Sequence, residues 1–310
     1  MSDVFLSVII PARSRSREVL GLLKTLEQQS YSFEVEVLVI ANPDRYSFES
    51  LYPDVRFLNS FPAGVNRARN RGIEESRGTW LYFLDEDCRL PAGNHLQRLC
   101  EKLRNLPENT LWGGPYSHSG KSRWSRAYHI LQSRWLADGV HPQAGALHLL
   151  GGNMAVHRSV FEVERFDESI PFGGAEMDLL YRLWRRGFRG HLDIDLAVQH
   201  KHELTGNDLL KKALLQGYFF ERLTSQFSDI APVRKSFIHQ HEVQQLKSEM
   251  SLYEKAFNAG RSYFRDGETS DVQRLIRRYR RDIFKKWWRH PSSSCTALAR
   301  FLNAISKEDC

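Results

Sequence analysis

Three stretches of this sequence carry side chains whose types and spacing could do chemistry. Asp85, Glu86 and Asp87 follow directly on the run Thr79-Trp80-Leu81-Tyr82-Phe83-Leu84. That run is short, aromatic and apolar and comes after Gly78, so it predicts a central strand. Carboxylates at the carboxyl end of such a strand stand where open α/β sheets bind ligands. Asp85 and Asp87, two apart on an extended chain, project to one side and could serve an oxygen-seeking Mg2+ or Mn2+. The competing reading is that these acids cap the next helix, expected to start at Pro91. His200 and His202 end a predicted strand running from His191 to Val198 and also point one way, although Lys201 and the usual exposure of histidine suit a solvated role equally well. The third stretch has two parts. Gly151-Gly152-Asn153-Met154 opens a strand whose bare backbone can approach a ligand closely. Gly173-Gly174-Ala175-Glu176 leads into a helix from Glu176 to Arg186, with Glu176 and Asp178 in its first turn, Arg185 and Arg186 in its last and Gly187 just beyond. A first-turn acid explains both carboxylates structurally, and Asp178 with Arg182 makes an i, i+4 pair.

The elements that must position these groups read as an alternation. Leu6 to Ile10 is an apolar strand closed by Pro11, and Arg17 to Gln29 carries Val19, Leu22, Leu23 and Leu26 at helical spacing. Glu34 to Ala41 alternates and then turns fully apolar, as a strand entering a buried sheet does; Asn42-Pro43-Asp44 ends it. Val55 to Leu58 is a further short strand, and Ala63 to Ser76 a helix ended by Gly78 before the aromatic strand. The order βαβ-βαβ predicts a parallel, doubly wound sheet. Beyond it come helices from Pro91 to about Leu106 and from about Lys121 to Ala137. From Gly206 the texture changes to long helical patterns, Asp208 to Gln226, Gln240 to Phe264 and Asp271 to His290, with a last apolar helix near Thr296 to Ile305. A boundary is therefore expected near residue 205, between a catalytic α/β domain over 1–205 and a helical extension over 206–310.

With 310 residues, 41% hydrophobic and 26% charged, the chain can bury a sizeable core. No apolar run approaches the ~18 residues of a membrane span and no signal peptide is evident, which gives the expectation of a cytoplasmic location. Cys88, Cys100, Cys295 and Cys310 lack CxxC spacing, so free thiols are expected rather than a zinc knuckle or a disulfide framework. The formal charge of +7 suits an anionic ligand or surface without choosing between them.

In chain order these pieces resemble the inverting GT-A glycosyltransferases of glycosyltransferase family two. Ser7-Val8-Ile9-Ile10-Pro11 resembles that family's opening strand, Arg69-Asn70-Arg71-Gly72 its RNxG element, and Asp85-Glu86-Asp87 its DxD metal motif. Gly151-Gly152-Asn153-Met154 followed by Gly173-Gly174-Ala175-Glu176 resembles its acceptor-side and catalytic-base elements. The resemblance covers residues 5 to 202 and leaves the helical extension unmatched. It implies a Rossmann-like, mostly parallel sheet flanked by helices, and transfer of a sugar, with inversion, from a nucleotide-sugar donor to a hydroxyl of a saccharide or lipid-linked glycan. It also implies Mn2+ or Mg2+ as cofactor, with Asp87 as direct ligand, Asp85 on the ribose or the metal, and a histidine from the end of a late strand, His200 in preference to His202. Donor contacts are expected from Pro11, Arg13, Asn42, Asp44, Arg69, Asp85, Glu86, Gly152 and Asn153, the last two offering backbone and amide donors near the sugar.

Two departures from the family's pattern matter. Its usual acidic pair, Glu-Asp, reads Ala175-Glu176 here, so the base implied is Glu176, one methylene longer, or Asp178 if the loop is shifted by two. After Ile40, where family members carry an acid pair that reads the nucleobase, this chain has Ala41-Asn42-Pro43-Asp44, which sets aside the usual preference for uridine. Nucleotidyl transfer is an alternative, though no glycine-rich, lysine-bearing phosphate loop follows the first strand; a degenerate, non-enzymatic binding or assembly subunit is another, drawing on Ala41 and Ala175. The helix from Asp271 to His290 mixes arginines and lysines with Tyr279, Phe284, Trp287 and Trp288, a pattern suited to an anionic membrane surface at the inner face of a bilayer, or to packing on the protein itself. No nucleic-acid fold is recognisable, and no nucleic-acid partner is expected.

Overall fold

A computed structural model describes residues 6–14, 16–42, 49–59, 64–141, 145–146, 148–170, 174–227 and 245–289. In chain order the elements are β1 (Leu6–Ser14), α1 (Arg17–Glu27), β2 (Val35–Asn42), β3 (Val55–Asn59), α2 (Val65–Glu75), β4 (Trp80–Leu84), β5 (Cys88–Arg89), α3 (His95–Leu103), β6 (Thr110–Gly113), β7 (Tyr116–His118) and α4 (Arg123–Asp138). There follow β8 (Val140–His141), β9 (Gly145–Ala146), β10 (Asn153–His157), α5 (Val160–Val163), α6 (Ala175–Trp184), β11 (Arg189–Leu192), β12 (Val198–His200), α7 (Gly206–Gln226), α8 (Lys247–Arg265) and α9 (Val272–Arg289).

The chain divides into two compact units. The first takes residues 1–119, 132–171 and 175–202, and the second 120–131, 172–174 and 203–310. In the first, the main sheet runs β3-β2-β1-β4-β10-β6-β11-β9-β8, and a small sheet runs β5-β12-β7. The aromatic strand is β4, central and buried at all five positions. Each such side chain contributes about 1.5–3 kcal/mol of burial, offset by the entropy of ordering it. The pairings β3-β2-β1-β4 are parallel, as the βαβ order predicts, but β10 lies antiparallel to both β4 and β6, so the sheet is mixed and mostly parallel.

Three boundaries differ from the sequence expectation for a local reason, and a fourth is described only in part. Strand β1 runs past Pro11 to Ser14, which still pairs with Asn42; the register shifts between Pro11 and Ser14, as proline lacks the N–H that the ladder needs. Helix α3 starts at His95 rather than Pro91, because Gln29 Nε2 donates to Pro91 O at 2.8 Å and Ser30 N to Gly93 O at 2.8 Å, and Gly93 takes φ +105°. The acids at 85–87 therefore cap no helix. The run from His191 to Val198 is two strands in two sheets, parted by a turn in which Asp193 Oδ1 accepts from Asp195 N at 3.0 Å. Of the expected helix from Gln240 to Phe264, α8 is described from Lys247; residues 240–244 and the helix near 296–305 lie outside the described residues.

Helix α2 is unusual in burying polar groups, Asn66, Arg69 and Asn70, beside Ala68, Gly72 and Ile73. Its depth is set by Gly72, where a Cβ would lie 2.4 Å from Ile9 Cγ2 and 3.0 Å from Ile40 Cδ1. In the second unit Thr205 and Asp208 form a capping box on α7, which satisfies two otherwise open N–H groups. Helices α7 and α8 approach closely where Gly217 faces Phe257 O and Gly260 faces Leu214 O. Leu275, Ile276 and Tyr279 of α9 are buried.

Gly72→Ala tests the close packing of α2. On an open helix it stabilises by up to ~1 kcal/mol; here the clash with Ile9 reverses the sign, and urea unfolding is expected to show a loss of about 1–3 kcal/mol. A gain in stability would mean that α2 has room to move outward.

Candidate functional site

The site is built in the first unit where β4 ends. Asp85, Glu86 and Asp87 form the turn into β5, closed by Cys88 N donating to Asp85 O at 2.9 Å. β5 pairs antiparallel with β12, setting His200 opposite Cys88, and Lys201 N donates to Asp87 O at 2.8 Å. His200 Nε2 consequently sits 3.1 Å from Asp87 Oδ1. One donor atom each from Asp87, His200 and His202 lies within 4.8 Å of the others. Both histidines converge on Asp87, where the sequence singled out one. Burial pushes the Asp87 carboxyl upward, but the hydrogen bond and charge of His200, joined by the charge of His202, outweigh it and hold the group below its ordinary value.

A carboxylate with two imidazoles is a donor set that fits a divalent ion, the imidazoles matching first-row transition metals such as Mn2+ better than Mg2+. Asp85 is not one of this trio; its Oδ1 accepts from Arg69 Nη2 at 3.4 Å and its Oδ2 from the Tyr116 hydroxyl at 3.1 Å. Burial raises its pKa, with Arg69 opposing and Asp87 reinforcing the rise.

The second half of the site hangs on Arg69, only 3% exposed. Its Nη1 donates to Glu176 Oε1 at 2.8 Å, and its guanidinium lies over the Phe166 ring at 5.3 Å. Burial alone would lower its pKa; the charges of Glu176 and Asp85 raise it instead. Helix α2 also holds the segment leading to Glu176. Asn66 Nδ2 donates to Asp167 O at 2.9 Å and Ile170 O at 2.8 Å, while Asn70 exchanges bonds of 3.0 and 3.2 Å with the Phe166 backbone. Gly151 and Gly152 leave the necessary space. A Cβ on Gly151 would be 2.1 Å from Glu176 Oε1, and one on Gly152 2.3 Å from Asp85 Cγ and from the Tyr116 hydroxyl oxygen.

Other residues singled out by sequence sit less centrally. Pro11 is buried in β1, and Asn42 ends β2 with its Oδ1 buried and without a hydrogen-bond partner among the described residues; Asp44 lies outside them. Glu86 turns away from Asp85 and Asp87 to accept from Arg13 Nε at 3.4 Å and from the Ser16 hydroxyl at 3.3 Å. Two expectations need correction. Asn153 is fully buried, its amide donating to Pro115 O and Leu196 O at 3.1 Å and accepting from the Tyr82 hydroxyl at 2.7 Å, so it braces the site instead of offering its amide to a ligand. Asp178 is buried and bound to Arg182 at 2.8 Å, while the same guanidinium engages Glu164, which makes it part of a structural ion-pair cluster rather than an alternative base beside Arg69. Tyr116 and Asn66 were missed. The signal for Tyr116 was Gly113-Gly114-Pro115 before it, where a Cβ on Gly114 would meet Leu196 O at 2.4 Å.

The family model for glycosyl transferase family 2 matches residues 7–164. The chain is 36% identical over 107 residues to an uncharacterized glycosyltransferase of Haemophilus influenzae, a span of 33% of this chain and 34% of that protein. It is 30% identical over 96 residues to the amylovoran biosynthesis glycosyltransferase AmsB of Erwinia amylovora, 28% of this chain and 32% of that one. The matched spans thus cover about a third of these relatives' lengths. Among solved structures, the mannosyltransferase PcManGT from Pyrobaculum calidifontis in complex with GDP-Man and Mn2+ superposes with a TM-score of 0.57 at 13% identity, covering 99% of this chain and 87% of that one. S. aureus TarS in complex with UDP gives 0.50 at 12% identity, covering 85% and 92%. At such identities the likeness is one of fold.

Asp87→Ala is expected to abolish Mn2+ uptake in isothermal titration with little change in melting temperature, because the side chain is partly exposed at a turn and its loss takes one donor from the candidate trio, not core packing. Unaltered Mn2+ binding by the variant would remove Asp87 from the candidate cation site.

Proposed function

Because the chain belongs to glycosyl transferase family 2, we propose that it is a glycosyltransferase that moves a sugar, with inversion, from a nucleotide-sugar donor to a hydroxyl of a saccharide or lipid-linked glycan. The observation that carries this reading is one buried guanidinium, that of Arg69, holding Glu176 on one side and Asp85 on the other, next to the Asp87–His200–His202 trio. A divalent cation held by Asp87, His200 and His202 would stabilise the diphosphate's growing negative charge as the sugar–phosphate bond breaks, without proton transfer. Glu176 is the base. Arg69 takes its Oε1, leaving Oε2 to receive the proton of the acceptor hydroxyl, whose oxygen forms the new bond at the anomeric carbon on the face opposite the departing diphosphate. Asn42 Oδ1, a buried acceptor lacking a partner among the described residues, supports a contact with the nucleobase. GDP-mannose and UDP-sugars are the donors to try first, since the fold neighbours were solved with GDP-Man and UDP. A polysaccharide acceptor is supported by the relative named for amylovoran biosynthesis.

We infer that 1–205 performs the transfer and that 206–310 serves a surface. Among the described residues no helix is long and apolar enough to cross a membrane. On α9, however, Arg277 and Arg281 are exposed one turn apart and form no ion pair among the described residues, whereas Arg278 is spent on Asp266 and Glu268. The side chains from Phe284 onward lie outside the description. Such a face supports binding to an anionic bilayer.

Two experiments test these readings. Donor hydrolysis across nucleotide sugars should release free sugar and nucleoside diphosphate, and Glu176→Gln should slow it by the ~10²–10⁴ typical of a lost general base while nucleotide binding survives. Asp178→Asn should instead keep turnover and lower stability by about 1–3 kcal/mol, having left Arg182 short of a buried partner. The reverse ranking would make Asp178 the base; pyrophosphate release would mean nucleotidyl transfer; binding without turnover would mean a non-enzymatic subunit. Separately, Arg277→Glu with Arg281→Glu should weaken sedimentation with phosphatidylglycerol vesicles about tenfold or more, at ~1 kcal/mol per basic residue, with donor hydrolysis retained. Charge reversal is preferable to deleting α9, whose Leu275 and Ile276 are core. Unchanged sedimentation would end the membrane reading.

A further inference from the structure

Tyr116 joins the two halves of the site, yet neither the sequence motifs nor the glycosyl-transfer reading gives it a task. It is 8% exposed and lies in β7, opposite Val198 of β12. Its hydroxyl donates to Asp85 Oδ2 at 3.1 Å. Its ring stacks on the His200 imidazole with centroids 4.3 Å apart and planes within 4° of parallel. Gly152 adjoins it so closely that a Cβ there would stand 2.3 Å from the hydroxyl oxygen. Both groups that it touches would otherwise turn easily, since the last torsion of a histidine or an aspartate is broad. A ring lying flat on His200 removes that freedom and keeps Nε2 facing Asp87 Oδ1, 3.1 Å away. A donor on Asp85 Oδ2, opposite the Arg69 contact on Oδ1, fixes the carboxylate in the same way.

We propose that Tyr116 is a positioning residue for both halves at once, its ring setting the His200 imidazole for the cation and its hydroxyl setting Asp85 for the donor nucleotide. Only the nucleotide half rests on the glycosyl-transfer reading. Partners that orient metal ligands are commonly worth 10–100-fold in metal affinity. Two substitutions separate the two tasks. Tyr116→Phe keeps the ring and loses the hydroxyl, whereas Tyr116→Leu loses both.

The probes are Mn2+ alone, followed by the electron paramagnetic resonance of the free ion, and UDP or GDP in the presence of Mn2+, followed by calorimetry. Tyr116→Phe should take up Mn2+ within about twofold of wild type and bind nucleotide about tenfold more weakly; Tyr116→Leu should lose about 10–100-fold in Mn2+ affinity as well. A Phe variant with unchanged nucleotide affinity, or a folded Leu variant that takes up Mn2+ as wild type does, overturns the proposal. If the Leu variant melts below the assay temperature, Tyr116→Met takes its place in the Mn2+ measurement with the same expected loss, while the Phe variant decides the nucleotide half. Wild-type protein that binds Mn2+ and nucleotide but turns over no nucleotide sugar defeats the transfer reading and leaves the role of Tyr116 standing. Wild-type protein that turns over donor without taking up Mn2+ does the opposite.

Discussion

The rest of the site depends on a cation placed where water cannot reach it. Leaving a guanidinium buried and unpaired costs several kcal/mol, and the fold offsets that cost by bringing Glu176 and Asp85 to its two terminal nitrogens and Phe166 to its face. The compensation is incomplete: Arg69 Nε is buried without an acceptor among the described residues. An unsatisfied buried donor of this kind is uncommon in a native protein and asks for an explanation. Here it goes with a side chain committed to two carboxylates from separate parts of the chain. The depth of Arg69 is in turn fixed by the close contact of Gly72 with Ile9 and Ile40. One glycine on α2 therefore sets where both acids must come.

The carboxylate–imidazole half of the site obeys a different constraint. Its three strands have two or three residues each and could not hold together as an isolated sheet. They persist because β5 continues directly from the turn that ends β4, and because the buried Asn153 amide ties Pro115, at the foot of β7, to Leu196 before β12. That small sheet carries His200 to Asp87 and Tyr116 to Asp85. The Tyr82 hydroxyl reaches Asn153 from within β4, so the strand that delivers the acids also helps to fasten the sheet that brings their partners.

Local signals made the scaffold legible. The aromatic run of β4, the alternation entering β2 and the apolar spacing of α1 each reflect burial that a window of a few residues reveals, and Gly187 stands beyond α6 in the left-handed region, at φ +86°. The site was legible as residue types but not as partnerships. Asn153 and Asn66 look like ligand donors or surface amides until the carbonyls that occupy them are known, and these lie far along the chain. Asp178 and Glu176 share one helical turn, yet one faces Arg182 and the other Arg69, a distinction set by α2. The small sheet escaped for the same reason: pairings between segments of two or three residues leave no periodicity. His191 to Val198 accordingly read as one strand where the turn at Asp193 makes two.

The departure at Ala175-Glu176 becomes intelligible through Gly151. Ala175 is buried at the start of α6, so an acid in its place would lose its hydration unless some neighbour paired with it. Arg69 is already shared between Asp85 and Glu176. Keeping only the second acid of the family's pair, one methylene longer as Glu176, lets the carboxylate reach Arg69 across space that a side chain at 151 would fill, its Cβ falling 2.1 Å from Glu176 Oε1 and 2.6 Å from Arg69 Nη2. The bare backbone at 151 and the longer acid at 176 are thus complementary. A side chain at 151 would displace the Glu176 carboxylate, and the bare backbone there keeps it on the buried arginine.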